Sequence, residues 1–255
     1  MDILNINSLN DYGFSNFNLS IKEGFNVIIG DNNSSKSTLF NIISCFYPTD
    51  NIVSINNQYM NKDNINNYIK EIGIVENLNK FSFLKNTVLE ELSYPLDNLG
   101  YSKSLIESTI NDKLKLFELD NIKDKKIKEL TKLEKQKLLI VLALLHNPKI
   151  LIIDSIFSYM EDSNKVIEIL KNNKINVLYF TSSFNNYDLF DYVYILNNKE
   201  IIIEGEFKDI INNKILKSTN LELPFINTLN NKLLEESIIN RRDYNIDRLV
   251  DKLWN

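Results

Sequence analysis

The segment GDNNSSKST, residues 30–38, decides the fold. It follows the apolar run at residues 27–29 and precedes apolar residues at helical spacing, which predicts a loop between a buried strand and a helix. At such a junction, successive backbone N–H groups and the positive end of the helix converge on a phosphate group. The segment therefore predicts a phosphate-binding loop, and the alternative is a serine-rich cap of an ordinary helix.

Two residues of this segment have predicted roles in nucleotide binding. In a phosphate-binding loop the lysine reaches the outer phosphates and the next hydroxyl ligates Mg²⁺, so these roles fall to Lys36 and Ser37. Ser35 replaces the usual glycine before the lysine, and a left-handed backbone at a serine costs on the order of 1 kcal/mol. Asn33 stands at another common glycine position and tolerates that backbone better. We expect nucleotide binding to be weakened rather than lost, through Gly30, Asp31, Asn32, Asn33, Ser34, Ser35, Lys36, Ser37 and Thr38.

Strands and helices alternate along the rest of the chain. Apolar runs predict strands near residues 71–75, 150–153, 177–180 and 193–196. A helical insertion is predicted at about residues 86–145, with Ser104 and Glu107 as a capping box, and a mostly helical tail after residue 217. Alternation of this kind predicts a parallel sheet with crossover helices.

Composition excludes several classes of protein. The 255 residues are 44% hydrophobic, enough to bury a full core, and the one cysteine excludes an internal disulfide framework. The net charge of -5 argues against a nucleic-acid binder. The start of the chain lacks a secretory signal pattern, and the longest apolar run, residues 138–145, is far shorter than the roughly 20 residues that span a bilayer, so we expect a soluble chain.

Three further segments carry a family resemblance. KILIIDS, residues 149–155, predicts a buried strand that ends at the acidic Asp154. Upstream, ELTKLEKQKLLIVLALLHNP, residues 129–148, resembles the signature segment of ATP-binding cassette (ABC) proteins, which reads LSGGQ, and the apolar helix after it. LELPFINTLNNKL, residues 221–233, is similar to the C-terminal segment of energy-coupling-factor ATPases, which drive vitamin or cobalt uptake. The chain therefore resembles an ABC transporter ATP-binding subunit of the energy-coupling-factor type.

That resemblance implies an architecture and a set of site residues. The expected fold is a RecA-like α/β core with an antiparallel β subdomain and a helical subdomain, together residues 1–216, and a tail at residues 217–255. It implies ATP and Mg²⁺ as cofactors, with the metal held by Ser37, Asp154 and Asn77 and the adenine stacked on Tyr12. The signature residues, which would contact the ATP of a second subunit, are Leu130, Thr131, Lys132, Leu133 and Glu134.

The same resemblance implies partners and a place in the cell. They are a second ABC ATPase subunit, a transmembrane coupling subunit and a substrate-binding membrane subunit, with no nucleic acid. Two such ATPase subunits would enclose two ATP molecules, each between one subunit's phosphate loop and the other's signature. The chain is then expected at the cytoplasmic face of the cell membrane as a peripheral subunit.

Several family positions are altered. Ser155 stands where the family has the glutamate that activates the attacking water, and Ser182 stands where it has the histidine that senses the outer phosphate. Lys132 and Leu133 replace the signature glycines, and the one histidine, His146, is interpreted as a cap at the end of a helix. We therefore expect the degenerate half of a heterodimer whose hydrolysis takes place at the partner's phosphate loop.

Three alternatives compete with this interpretation. One is a self-sufficient ATPase in which Glu161 or Asp162 supplies the missing carboxylate. Another is a structural or regulatory subunit that does not hydrolyse ATP. A small-molecule kinase is disfavoured because such enzymes clamp the transferred group with arginines, whereas Arg241, Arg242 and Arg248 all lie in the tail.

Overall fold

The computed structural model describes residues 2–254, apart from the side chains at positions 217, 247 and 252. The strands are β1 (Asp2–Leu9), β2 (Phe17–Lys22), β3 (Phe25–Ile29), β4 (Val53–Ile55), β5 (Gln58–Tyr59), β6 (Ile72–Val75), β7 (Ile150–Asp154), β8 (Asn176–Thr181), β9 (Tyr192–Asn197) and β10 (Glu200–Gly205). The α-helices are α1 (Lys36–Ile43), α2 (Ile65–Glu71), α3 (Val88–Asn98), α4 (Lys103–Leu116), α5 (Lys132–Leu144), α6 (Ser163–Asn172), α7 (Phe207–Ile210), α8 (Phe225–Glu235) and α9 (Ile246–Trp254). Short 3-10 turns lie at Asp120–Ile122, Ile127–Glu129, Ile156–Tyr159, Tyr187–Leu189 and Lys214–Ser218.

The strands form two sheets. The larger has the order β10-β9-β3-β8-β7-β6 and is parallel except for the edge strand β10. The smaller is antiparallel with the order β2-β1-β4-β5. Asn56 and Asn57 both have positive φ, at 48° and 64°, the backbone that suits a two-residue hairpin between β4 and β5. The predicted α/β class with an antiparallel subdomain is confirmed.

Strand β3 lies at the centre of the larger sheet and is buried on both faces. Ile28 belongs to the apolar core that includes residues of the smaller sheet and α1. Val27 and Ile29 point to the opposite face, into the core that includes residues of α3, α4 and α5. Because neighbouring residues of one strand are held by two different cores, the loop that follows β3 starts from a fixed position.

The helical insertion consists of α3, α4 and α5. Helix α3 begins with a capping box between Thr87 and Glu90. The capping box predicted for α4 at Ser104 and Glu107 is wrong. The helix begins two residues earlier because Gly100, at φ 77°, turns the chain into extended backbone at Ser102, whose hydroxyl accepts from the Leu105 N–H.

The tail forms a small core of its own, built from Ile226, Leu233 and Leu249. Asn230 is fully buried and bonds the backbone of Ile226 and Asp243. The Tyr187 hydroxyl donates to the Tyr244 carbonyl at 3.1 Å, which joins the tail to the loop after β8. The domain boundary at residue 217 stays a prediction. Within residues 2–254, none of the helices has the length and apolar character needed to cross a membrane.

Candidate functional site

The loop between β3 and α1 is tightly closed. A Cβ at Gly30 would lie 2.5 Å from the Leu196 carbonyl oxygen and closer still to Ser34 Oγ, so only glycine fits there. Ser34 is buried, and its N–H and hydroxyl both donate to the Asp31 carbonyl, at 3.2 and 2.8 Å. The Asn33 N–H donates to Asp31 Oδ1 at 2.9 Å. The loop is therefore held by Asp31, through both its carbonyl and its side chain.

The two positions where glycine is usual behave differently. Ser35 has φ 72° and ψ 23°, the left-handed backbone that the sequence predicts at this position. Asn33 does not have positive φ, so the same expectation for Asn33 is wrong. The reason is that the Asp31 side chain already closes the turn at Asn33. The loop therefore carries one strained residue, directly before the lysine.

The start of α1 is open to an anion. Among the described residues, no side chain caps this terminus, since Ser35 makes no capping bond. The first-turn N–H groups of a helix have no partner within the helix, so they remain available to a phosphate. Lys36 Nζ donates to the carbonyls of Gly30 and Asp31 at 2.6 Å each. Burial lowers the pKa of Lys36, while Asp31 and Asp154 act in the opposite direction, so this half-buried ammonium would be stabilised by an anion.

A cavity of about 470 Å³ lies beside this loop. Most of its lining is polar: Asn32, Asn33, Ser35, Lys36, Ser37, Thr38, Asn77, Lys80, Asp154, Ser155, Tyr159 and Ser182. The loops after β3, β6, β7 and β8 meet there because the carboxyl ends of parallel strands share one edge of a sheet, which is where ligands bind in open α/β folds. The structure therefore brings together the predicted phosphate loop, Asn77, Asp154, Ser155 and Ser182.

The carboxylate of Asp154 already has partners on both oxygens. Ser155, at φ 55°, donates its hydroxyl to Asp154 Oδ1 at 2.9 Å. Lys80 donates to Oδ2 at 3.0 Å. Sequence reasoning missed Lys80, although its place three residues after Asn77, in the loop after β6, would have been a signal once β6 and β7 were known to be neighbours.

These residues fit a nucleotide better than they fit a magnesium ion. A triphosphate would find the open helix terminus, the Lys36 ammonium and a polar cavity. Ser37 and Asn77 line the same cavity and offer the oxygen ligands that Mg²⁺ prefers. However, both oxygens of Asp154, the only carboxylate among the lining residues, are engaged by Ser155 and Lys80. The predicted metal site therefore lacks a free carboxylate.

Tyr12, the predicted adenine platform, is outside the set of lining residues. It lies in the turn after β1 at φ 55° and stacks on Tyr47 with ring centroids 5.0 Å apart. Its hydroxyl donates to the Pro48 carbonyl at 2.7 Å. One ring face is therefore covered, and an adenine would have to use the other. The role of Tyr12 stays a prediction.

The predicted signature forms the start of α5 and does not line the cavity. Thr131 Oγ1 accepts from the Glu134 N–H at 3.1 Å, and the Glu134 carboxylate accepts from the Thr131 N–H at 2.7 Å. Lys125 lies 3.5 Å from the same carboxylate. The Thr131 N–H bond lowers the pKa of Glu134, so the group stays ionised at neutral pH. Two N–H donors at this terminus are therefore engaged by its own side chains, one of which is an ionised carboxylate.

His146 has a different role from the predicted one. Its Nε2 lies 2.9 Å from the Ile72 carbonyl, which can only accept, so the ring donates to strand β6 instead of capping α5. The helix cap is wrong because α5 ends at Leu144 and the ring turns toward the sheet. Burial lowers the pKa of His146, Lys113 adds to that effect, and the Ile72 carbonyl opposes it. The imidazole therefore links the helical insertion to the larger sheet by a hydrogen bond.

The carboxylates that could have compensated for Ser155 lie elsewhere. Glu161 and Asp162 border a separate surface depression, and Asp162 pairs with Lys137 at 3.3 Å. The tail arginines are also outside the lining set, and Arg248 lies 3.4 Å from Asp243. The described residues that line the cavity therefore include neither a replacement carboxylate at Glu161 or Asp162 nor the arginine clamp of a kinase.

The strand, phosphate loop and helix, with the acidic strand end beside them, define a P-loop nucleotide-binding domain. A family model described as ABC transporter matches residues 14–158, more than half of the chain. The chain therefore belongs to the ABC transporter family.

Relatives of known name show which group within this family the chain resembles. The energy-coupling factor transporter ATP-binding protein EcfA of Pediococcus pentosaceus is 28% identical, over 91% of this chain and 86% of the relative. EcfA1 of Mesomycoplasma hyopneumoniae strain J is 27% identical, over 97% and 93%. The structure of cbiO1 from Clostridium perfringens, part of the ABC transporter complex cbiONQ, has a TM-score of 0.76 at 23% identity, covering 89% of this chain and 98% of that one. The predicted resemblance to energy-coupling-factor ATP-binding subunits is confirmed.

Proposed function

We propose that this chain is the degenerate ATP-binding half of a heterodimeric ATPase that drives an energy-coupling-factor importer. The observation that carries the proposal is the polar cavity formed by an uncapped helix terminus and the Lys36 ammonium. Bound ATP would supply the free energy of its binding and hydrolysis. The residues of the chain bind the phosphates, hold the loop closed around them and join the cavity to the helical insertion.

The chain's own cavity is poorly equipped for hydrolysis. Ser155 cannot act as a general base toward water, and its hydroxyl is committed to Asp154 at 2.9 Å. Ser182 offers a hydroxyl where an imidazole is expected. We therefore propose that the cavity binds ATP and that turnover occurs at the phosphate loop of a second ABC ATPase subunit, with that subunit's glutamate as base.

The signature reduces the rate at that second site. In the proposed heterodimer, residues 130–134 face the partner's nucleotide, where the capping box uses the Thr131 and Glu134 N–H groups and places the Glu134 carboxylate at the terminus. A phosphate clamp at a helix terminus needs free N–H donors, and two of the donors are engaged here. The clamp is therefore weak, and turnover is slow in the absence of an activating substitution.

A second cavity supports a membrane partner. It measures about 700 Å³ and is lined by apolar and basic residues: Leu78, Phe81, Phe83, Lys85, Asn86, Lys126, Ile127, Lys128 and Lys135. It lies between the loop after β6 and the helical insertion, so a segment seated there could sense the nucleotide cavity through that loop. Its apolar floor and its lysines favour an apolar segment with acidic flanks, which we assign to a transmembrane coupling subunit. A separate membrane subunit would bind the transported substrate, and the chain would sit peripherally at the cytoplasmic face of the membrane.

The test is turnover by the co-purified complex. Replacing the glutamate that follows the acidic strand in the second ATPase subunit should lower turnover by about 10² to 10⁴, the usual effect of removing an acid–base group. Lys36→Ala in this chain should leave most of the turnover. The opposite pattern, in which Lys36→Ala abolishes turnover and the partner substitution is tolerated, would contradict the proposal.

The second candidate is a subunit that retains the fold without hydrolysis anywhere in its complex. It is favoured by the full pairing of Asp154 and the capping of the signature. If this second candidate is right, the purified wild-type complex shows no ATP turnover. The heterodimer proposed above shows slow turnover, so the measurement distinguishes the two.

A further inference from the structure

Lys80 lies where a divalent cation would be expected beside Asp154. Its ammonium donates to Asp154 Oδ2 at 3.0 Å, and Ser155 donates to Oδ1 at 2.9 Å. The Asp154 side chain is only 15% exposed, so its charge requires a nearby partner. Lysine provides that partner from within the chain.

The charge of the cavity also favours an anion that arrives without a metal. Of the lining residues, Lys36 and Lys80 are cationic and Asp154 is the one anion, so these side chains sum to a single positive charge. A magnesium ion entering the cavity would add two positive charges next to two ammonium groups. It would also compete with Lys80 for the only carboxylate of the lining.

The exposed half of the Lys80 side chain makes an exchange of partners feasible. The side chain is 56% exposed, and an ion pair with such an exposed member contributes little to stability. Lysine binds phosphate as a compact point charge on a flexible stem. When a nucleotide enters the cavity, the ammonium can therefore turn from Asp154 toward the phosphates at little cost.

We propose that Lys80 is a built-in counter-cation that replaces the divalent metal, and that this site binds metal-free nucleoside polyphosphates. The inference rests on the proposed nucleotide site and concerns which form of the nucleotide that site accepts. Lys36 and Lys80 then form a pair of ammonium groups that neutralise the phosphates, and Asp154 pairs with Lys80 only until the nucleotide arrives. Lys80 is a specificity-determining residue that selects the metal-free form.

The experiment measures ATP binding to the full chain by calorimetry, in excess magnesium chloride or in EDTA. Wild type should bind ATP in EDTA within about threefold of its affinity in magnesium. Lys80→Gln should bind about tenfold more weakly in EDTA, which corresponds to losing one hydrogen bond to a charged group. Lys103→Gln, at an exposed lysine at the start of α4, changes the net charge equally and should match wild type.

Asp154→Asn provides a second, opposite signal. It removes a negative charge and releases Lys80, so its affinity in EDTA should equal or exceed that of wild type. A metal ligand would behave differently, because its loss weakens binding in magnesium. Wild-type binding that weakens tenfold or more in EDTA, or a Lys80→Gln variant that matches wild type in EDTA, overturns the inference and leaves the nucleotide site standing. Absence of ATP binding under both conditions overturns both.

Discussion

Helices α1 and α5 begin in opposite ways. At α1, Ser35 is left-handed and makes no capping bond, and the first-turn N–H groups face a polar cavity beside Lys36. At α5, Thr131 and Glu134 close the terminus in a reciprocal capping box. A helix terminus binds an anion only when its donors are free. The chain therefore leaves the donors of α1 free beside the polar cavity and engages two donors of α5 in a capping box.

Charge adds a second difference between the two termini. The start of α1 carries the Lys36 ammonium, whereas the start of α5 carries the Glu134 carboxylate between Lys132 and Lys135, with Lys125 at 3.5 Å. Capping stabilises α5 at the terminus where the family resemblance implies contact with phosphate. If α5 contacts phosphate as that resemblance implies, the capping that stabilises the helix competes with phosphate binding there, whereas no such competition exists at α1.

The largest expected effect comes from removing the charge at α5. Glu134→Gln keeps a residue that can complete the capping box and removes one negative charge. Turnover by the assembled complex should rise about five- to tenfold, since two unit charges at contact distance interact by about 1 kcal/mol in a water-like medium. Steady-state ATPase measurements on the purified complex check this.

Glu129→Gln is the matched control for that substitution. Glu129 is exposed just before the signature and changes the net charge equally. Equal stimulation by both variants would mean that overall charge, and not the α5 terminus, limits the rate. If Glu134→Gln does not raise turnover, the charge at the signature does not limit the rate.

A smaller effect is expected at the other helix. Ser35→Gly should raise the free energy of unfolding by about 1 kcal/mol, because glycine adopts φ 72° without the left-handed strain that serine carries. Urea unfolding measures it. Asn33→Gly is the control and should be neutral or destabilising, since Asn33 does not have positive φ. A loss of stability in Ser35→Gly would show that the loop is not strained at this residue.

The smallest effect is a pH dependence at Glu134. Its folded-state pKa is lowered from 4.5, first by the bond from the Thr131 N–H, while burial opposes the shift. The ionised group therefore contributes stability above pH 4.5 that is lost as the pH falls through the folded-state pKa. Wild type should exceed Glu134→Gln by about 0.5 kcal/mol near neutral pH, a typical value for an acidic residue at a helix N-terminus. The difference should shrink below pH 4.5, and a constant difference would exclude the charge as its cause.

The sequence predicts the central sheet well because its strands are buried on both faces. Apolar runs mark β7, β8 and β9, and the phosphate loop follows from its place after such a run. The capping box at α5 is also visible as Thr131 and Glu134 at the required spacing, although the family resemblance places both residues in the signature alone.

The missed features depend on contacts between distant segments. Lys80 and Asp154 are 74 positions apart in the sequence, and they meet only because β6 and β7 are neighbours in the sheet. His146 reaches Ile72 across the same separation. Local pattern carries no information on any of these pairings.

The open terminus of α1 has a function only if a nucleotide binds at the phosphate loop. The direct measurement is the unfolding free energy of the full chain with and without ATP, in wild type and in Lys36→Ala. At ATP concentrations about 100 times its dissociation constant, wild type should gain about 2.7 kcal/mol, and the variant should gain much less. An equal gain in both, or no gain in wild type, would contradict the account.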